Sequence, residues 1–316
     1  MIYQPATQPT LYFIGVTTAK SSIMPVFPKW AAHLGLERAV IKGMDFPVHA
    51  DPVSYREAVA FIKRDPLSLG ALVTTHKIDL YAAAKDLFDD IDSYAGLMHE
   101  TSCLSKQDGK LVCHAKDPIS AGLTLDNFLP QDHFAKTGAE MFSIGAGGST
   151  IAHTWHLAQK SRGANRPSRI VVADRDQGRL DEIQAIHKTF ALDVPVDYVK
   201  VADAHGNDAI LAKLKPRALV INATGLGKDA PGSPLTDAAR FPERAIVWEL
   251  NYRGDLVFLD QAKRQQAERH LNIENGWTYF IHGWTQVIAE VFHIDIPTRG
   301  PGFDALSRIA ADAAKA

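Results

Sequence analysis

Lys77 and Asp117 are the side chains of this chain best suited to move a proton, and Gly145-Ala146-Gly147-Gly148-Ser149 is the segment best suited to grip a phosphate. The glycines let the backbone turn tightly and approach a pyrophosphate. The amides opening the following helix then face the anion, where the helix dipole also favours negative charge. A full dinucleotide fingerprint asks for a third glycine at the position held here by Thr150. A lysine is a poor base at neutral pH, with an ordinary pKa of about 10.4. Burial lowers that value and a nearby carboxylate raises it. The pair is therefore read as sharing a proton, with Asp117 orienting the ammonium and Lys77 contacting a substrate oxygen. A hydride carrier combined with a proton carrier is the minimum equipment for interconverting an alcohol and a ketone.

Asp174 bears on the choice of cofactor. An acid at the end of the strand after the glycine turn accepts hydrogen bonds from the ribose hydroxyls of NAD and repels a 2′-phosphate. Arg175 pulls the other way, since a guanidinium pairs with phosphate or stacks on adenine. Asp176 adds a second negative charge. NAD is the expected cofactor, with NADP as the alternative; the competing role for Asp174 is to cap the next helix.

These residues must be carried by an alternating framework. Leu11–Val16, Ala39–Ile41 and Leu69–Thr74 read as strands, and residues 25–35 and 52–64 as amphipathic helices between them. That β-α-β-α-β order implies parallel strands covered by helices, with Lys77 just past the third strand. Residues 1–9 read as a loose tail, and Asp108-Gly109 as a two-residue hairpin turn. A second alternating unit starts near residue 139. Its strands are placed at 141–144, 170–173, within 194–201, at 218–221 and at 245–250, with helices at 149–160 and 178–190. A glycine turn after the first strand of such a series points to a doubly wound, nucleotide-binding sheet. Residues 283–294 and 303–315 read as two closing helices.

Composition narrows the partners. The 316 residues are enough for about two domains, and a net charge of −2 gives no electrostatic case for nucleic acid or anionic lipid. No apolar run reaches the roughly 18 residues of a membrane span, and the first residues lack a secretory layout, so a cytoplasmic protein is expected. Cys103 and Cys113 are the two cysteines, and reduced thiols are favoured over a disulfide. With His76, His99 and His114 they show no tight ligand spacing, so no metal is expected. The expected partner is a small-molecule substrate; a homodimer is left open.

Taken in order, these motifs resemble the shikimate and quinate dehydrogenases over nearly the whole chain. The shared order is a serine-containing loop after the first strand, a lysine after the third, an aspartate opening a helix, then the Gly-Ala-Gly-Gly-Ser turn. Asn222-Ala223-Thr224-Gly225-Leu226-Gly227 resembles the family's Asn-Ala-Thr-x-x-Gly loop near the nicotinamide, Tyr252 its tyrosine and Gln286 its glutamine on the returning helix. The resemblance implies that Lys77 and Asp117 are the catalytic pair. It implies cofactor contacts from Gly145, Ala146, Gly147, Gly148, Ser149, Asp174, Arg175, Asn222, Thr224 and Gly225. It also implies two α/β domains: a substrate domain over residues 1–117 plus 281–316, to which the C-terminal helices return, and a Rossmann-type doubly wound parallel sheet over residues 118–280.

The chain departs from the family where the substrate is held. The Ser-x-Ser-Pro loop reads Ser21-Ser22-Ile23-Met24, and Asn-Val-Thr-x-Pro-His-Lys reads Ala71-Leu72-Val73-Thr74-Thr75-His76-Lys77. Ala-Val-Asn-Thr becomes Met98-His99-Glu100-Thr101, a carboxylate in place of an amide, and Asn-Thr-Asp becomes Ala115-Lys116-Asp117. Ser21, Ser22, Val73, Thr74, Glu100, Tyr252 and Gln286 are the implied substrate contacts. A polar site this altered discriminates strongly, so a hydroxylated ring alcohol other than shikimate is expected. The alternatives are an enzyme like methylene-tetrahydrofolate dehydrogenase and a nucleotide-binding redox sensor without turnover.

Overall fold

The computed structural model describes residues 3–228 and 230–315. The chain separates into two compact units: one runs to Ile119 and resumes at Ile281, and the other is Ser120–Phe280.

In the first unit the elements follow the order β1 (Thr10–Gly15), α1 (Ile23–His33), β2 (Val40–Asp45), α2 (Pro52–Arg64), β3 (Ser68–Val73), α3 (Lys77–Ala84), β4 (Asp90–Ile91), α4 (Ser93–Met98), β5 (Cys103–Gln107) and β6 (Lys110–His114). α5 (Asp117–Phe128) then leads out of it. The sheet order is β2-β1-β3-β5-β6-β4. β1, β2 and β3 are parallel, as the short β-α-β crossovers require, while β5 runs antiparallel to both β3 and β6. The β5–β6 turn is Asp108-Gly109, both at positive φ (51° and 76°), the primed geometry whose twist suits a tight hairpin. Tyr12, Ile14, Tyr55, Val59, Ile62, Val73 and Leu104 share one apolar cluster. The early residues are not a loose tail. Tyr3 stacks on Phe61 of α2 at 5.0 Å, and Ala6 is buried. Residues 1 and 2, the rest of that expected tail, lie outside the described residues.

The second unit begins within α5 and continues through α6 (His133–Thr137), β7 (Met141–Ile144), α7 (Gly148–Ala158), β8 (Ile170–Asp174), α8 (Gln177–Thr189), β9 (Val196–Lys200), α9 (Ala204–Leu211), β10 (Leu219–Asn222), β11 (Ile246–Glu249), α10 (Val257–Arg269) and β12 (Asn272–Glu274). Every pairing in its sheet is parallel, in the order β12-β11-β10-β7-β8-β9. The chain moves outward from β7 in one direction through β8 and β9, then returns to build β10, β11 and β12 on the other side. This is a doubly wound sheet whose order reverses between β7 and β10.

α11 (Trp277–Phe292) and α12 (Gly300–Ala313) close the chain, so the C-terminal helices return to the first unit. Trp284 meets Phe13 edge-on at 5.0 Å, and the Trp30 indole N–H donates to the Leu306 carbonyl at 2.8 Å. Both tryptophans are nearly fully buried. The apolar face of the N-terminal sheet is thus completed by residues almost three hundred positions later.

Candidate active site

Lys77 opens α3 and Asp117 opens α5. The two placements differ electrostatically. A carboxylate is favoured at a helix N-terminus and an ammonium is not, so Lys77 depends on acidic neighbours to keep its charge. Its Nζ hydrogen-bonds the Asp117 carboxylate in an ion pair whose side chains are only 16% and 11% exposed. Burial pulls the lysine pKa down, but the charges of Asp117 and then Glu100 outweigh that and hold it above its ordinary value. Lys77 is therefore a proton donor at neutral pH.

Glu100 sits behind this pair. α4 ends at His99, which adopts the left-handed conformation (φ 51°) and stacks on Tyr81 at 6.0 Å. The chain then turns so that the Thr101 amide donates to the Lys77 carbonyl at 3.0 Å. Glu100 has no solvent exposure, and neither carboxyl oxygen has a hydrogen-bond partner. Burial, reinforced by Asp117 and only partly offset by Lys77, pushes its pKa up to about 8. Beside it a polar chain runs outward. Asp92 caps α4 through the Ala95 amide (2.6 Å) and lies 3.3 Å from His114, and Lys116 holds Glu290 of α11 at 2.5 Å.

The remaining expected substrate residues are placed unevenly. Ser21 is buried and Ser22 is the half-buried residue before α1, with no capping bond from its side chain. Thr74 is half-buried, its hydroxyl 3.5 Å from the Ile14 carbonyl. Val73 is fully buried in the apolar cluster, where its side chain packs the sheet. Gln286 is half-buried on α11, one turn before Glu290. Tyr252, in the second unit, packs against Phe280 (4.5 Å) and Trp277 (5.6 Å). Cys103 and Cys113 are free and buried, and among the described residues no group of three His, Cys, Asp or Glu is arranged to hold a metal ion.

In the second unit the glycine turn lies at the carboxyl end of β7, at the strand-order reversal. Gly145 has φ +105°, and a Cβ there would come within 2.9 Å of the Ala223 carbonyl oxygen. Only glycine fits both constraints. Gly147 is different: a Cβ on it would meet nothing within 4 Å. The space above it lies at the N-terminus of α7, whose first amides have no partner from within the helix. Thr150, at the third fingerprint position, is buried and bonds Ser143 Oγ (2.8 Å) and the Gly145 carbonyl (2.6 Å), taking over the close helix–strand packing a glycine would allow.

Asp174 does not cap α8. Its two oxygens accept from the amides of Ala146 (2.8 Å) and Asp176 (2.9 Å), tying β8 to the glycine turn, while Asp176 caps α8 through the Gly178 amide. Arg175 is exposed. At the end of β10, Asn222 is fully buried. Its carbonyl oxygen accepts from the Thr224 amide and hydroxyl, and its amide donates to Glu249 at 2.7 Å. Gly225 is exposed beyond it. Glu249, pushed up to about 7 chiefly by burial, also accepts from the Asn251 amide and thereby braces the Asn-Ala-Thr loop. Sequence reasoning passed over Glu249; the available signal was an acid ending an otherwise apolar strand.

The fold and both sites define a two-unit α/β protein pairing a buried lysine–carboxylate couple with a doubly wound sheet that has an anion-accepting turn. No family model matches the chain. It is 26% identical over 189 residues to the shikimate dehydrogenase (NADP(+)) of Lactococcus lactis subsp. cremoris (strain MG1363), a match covering 60% of this chain and 61% of that relative. The chain thus matches less than two thirds of the relative's length. Among solved structures, the shikimate dehydrogenase of Aquifex aeolicus superposes with a TM-score of 0.71 at 16% identity, covering 98% of this chain and 99% of the other. The quinate dehydrogenase of Corynebacterium glutamicum in complex with NAD gives 0.70 at 18%, covering 96% and 99%. The matched relatives and solved neighbours are shikimate and quinate dehydrogenases, and the chain shares the fold of the solved ones.

Proposed function

We propose that this chain is a nicotinamide-dependent oxidoreductase that interconverts the secondary alcohol and ketone of a hydroxylated ring compound related to shikimate or quinate. The observation that carries this reading is the largely buried Lys77–Asp117 pair, a positioned proton donor. The residues present also suit a dinucleotide: Gly147, where a side chain would meet no neighbour, the N-terminus of α7 and the braced Asn222 loop fit its phosphates and nicotinamide arm. When bound, the cofactor supplies the hydride. Lys77 gives the substrate oxygen its proton in reduction and takes one in oxidation, while Asp117 keeps the amine aimed.

Two features favour a substrate other than shikimate. Val73 turns an expected hydroxyl contact into core packing, and Glu100, which stands where a substrate-binding amide was expected, is fully buried instead. Both NAD and NADP are compatible with the cradle. The Asp174 oxygens are already engaged by two amides, which weakens their repulsion of a 2′-phosphate, and Arg175 is exposed beside them.

The test is a panel of hydroxylated ring acids, their amino analogues and neutral polyols with NAD and NADP in parallel, read by absorbance of the reduced cofactor. Lys77→Ala and Asp117→Asn should each lower turnover about 100-fold or more while cofactor still binds. Full turnover in both variants would reject the assignment.

A further inference from the structure

The dinucleotide crevice takes up the carboxyl ends of the strands in the second unit. Their amino ends carry a feature that the alcohol–ketone reading leaves unused. β10, β11 and β12 are neighbours in the sheet, with Leu219 opposite Ile246 and Ile246 opposite Asn272. Two positions before each of these residues stands a basic side chain: Arg217, Arg244 and His270. All three backbones are left-handed, with φ of 68°, 57° and 54°. Backbone bonds continue the ladder to them, since the Arg217 amide donates to the Glu243 carbonyl at 2.8 Å and the Arg244 amide to the Arg269 carbonyl at 2.7 Å. One conformation is thus repeated at one register, a strand spacing of about 4.8 Å apart. It brings the three basic side chains to a single recess of about 360 Å³, which His133 and Asn272 also line.

That arrangement is unfavourable by itself. A left-handed backbone suits glycine or asparagine better than arginine. Like charges set side by side repel, and a guanidinium stays charged at any working pH. Among the described residues no acid lines the recess. Arg217 also borders an adjoining recess of about 560 Å³, where Lys136 and Lys215 join it, again with no acid in the lining among the described residues. The nearby carboxylates do little to offset this charge. Glu243 lies 3.9 Å from Arg244 and Asp132 3.7 Å from Lys136, and these exposed pairs are weak. Glu140 is already held by Arg169 at 3.0 Å and by the Lys215 amide at 2.9 Å. His133 anchors the Arg217 turn, its Nε2–H donating to the Arg217 carbonyl at 3.0 Å. Burial, then the charge of Arg217, holds the His133 pKa below its ordinary value, so it serves as a neutral brace. In a chain of net charge −2, this local excess of cations points to an anion.

We propose that the amino ends of β10, β11 and β12 form a binding site for the phosphate monoester of a small metabolite, separate from the dinucleotide crevice. Two guanidiniums one strand apart offer paired N–H donors to a single phosphate group. The recess is larger than a bare phosphate requires and falls in the range that holds small ligands, roughly 300–1,000 Å³. Pro130 and Ile246 give it an apolar side and Asn272 an amide, which suit the organic part. The site does not depend on the alcohol–ketone reading, because β10 and β11 carry their crevice residues, Asn222 and Glu249, at the opposite ends.

The experiment titrates glycerol 3-phosphate, inorganic phosphate and glycerol into the intact protein at low salt, read by calorimetry. Wild type should bind glycerol 3-phosphate saturably with a Kd of about 1 mM or tighter, inorganic phosphate more weakly, and glycerol not at all. Arg217→Gly and Arg244→Gly should each weaken the ester about tenfold or more. Glycine adopts the left-handed backbone without strain, so both variants should melt no lower than wild type. Arg217→Gln and Arg244→Gln, which leave the backbone as it is, should show the same loss of affinity. Ester affinity unchanged in the Arg217→Gly/Arg244→Gly double variant would overturn the site and place the phosphate elsewhere, as at the glycine turn. Inorganic phosphate bound as tightly as the ester would overturn the monoester as occupant. Glycine variants that melt well below wild type would assign the arginines to the fold instead. A protein inert toward every alcohol of the panel would reject the function reading and leave this comparison standing.

Discussion

At the residue scale the decisive quantity is how much a buried acid resists ionisation. Unfolded chains release the Glu100 proton at its ordinary value of 4.5, and the folded protein holds it to about 8. Between those two values the native state binds more protons than the unfolded one, so this group makes stability fall as pH rises through the window and level off above it. Glu100→Gln removes the slope. Its melting temperature should match wild type near pH 4.5 and exceed it by several degrees at pH 8 to 9, corresponding to a few kcal/mol. Parallel thermal unfolding curves for the two proteins across this range would refute the burial-driven shift. The meeting of Lys77 with Asp117 was anticipated through the order of motifs shared with the dehydrogenases the chain resembles, since neither residue's local pattern points to the other. Glu100 was legible only as a departure. Its full burial beside the αL turn at His99 and the Thr101–Lys77 backbone bond is a tertiary outcome that no local pattern encodes.

At the element scale the glycine turn separates two uses of the same residue type. Gly145 is required by the backbone. Alanine there meets both a left-handed φ and the Ala223 carbonyl, and should destabilise the second unit by about 1–3 kcal/mol. Gly147 has an ordinary φ of −87° and empty space above it. Gly147→Ala should therefore keep wild-type stability and weaken dinucleotide binding tenfold or more, because its methyl occupies the volume a phosphate needs. Equal affinity in Gly147→Ala and wild type, measured by calorimetric titration, would remove the turn from the cofactor site. Strands were the easier elements to read: β7, β8, β10 and β11 are short apolar runs ended by turn residues. α10 escaped notice because Gln261, Lys263, Arg264, Gln265 and Gln266 leave it almost without an apolar stripe; buried Gln261 and Gln265 instead hydrogen-bond the Leu235 and Ala239 carbonyls. α3 is alanine-rich with only Leu80 and Ala84 buried, and β12 has three residues, so neither carries a periodic signal.

At the scale of the whole molecule the two units should answer to different perturbations. A dinucleotide that binds only the folded second unit at 100 times its Kd adds about 2.7 kcal/mol to that unit, raising its calorimetric transition. A chain ending at Phe280 should show the opposite asymmetry. Losing Ile281, Trp284, Ile288 and Leu306, all at least 96% buried, strips the first unit of one wall of its core and of the Trp30 partner. Its transition should drop by more than 10 °C or vanish, while dinucleotide binding by Ser120–Phe280 persists. A first unit that melts unchanged without α11 and α12 would contradict the packing described.

The discontinuity of the first unit has a consequence for biosynthesis. Its sheet, with Phe13 and the α1 surface around Trp30, leaves the ribosome long before α11 and α12 exist to cover them. All of Ser120–Phe280 must be translated in between, which at about 5–20 residues per second takes roughly ten to thirty seconds. For that interval the nascent chain carries an uncovered aromatic face, an invitation to chaperones that a contiguous domain of the same size would not extend.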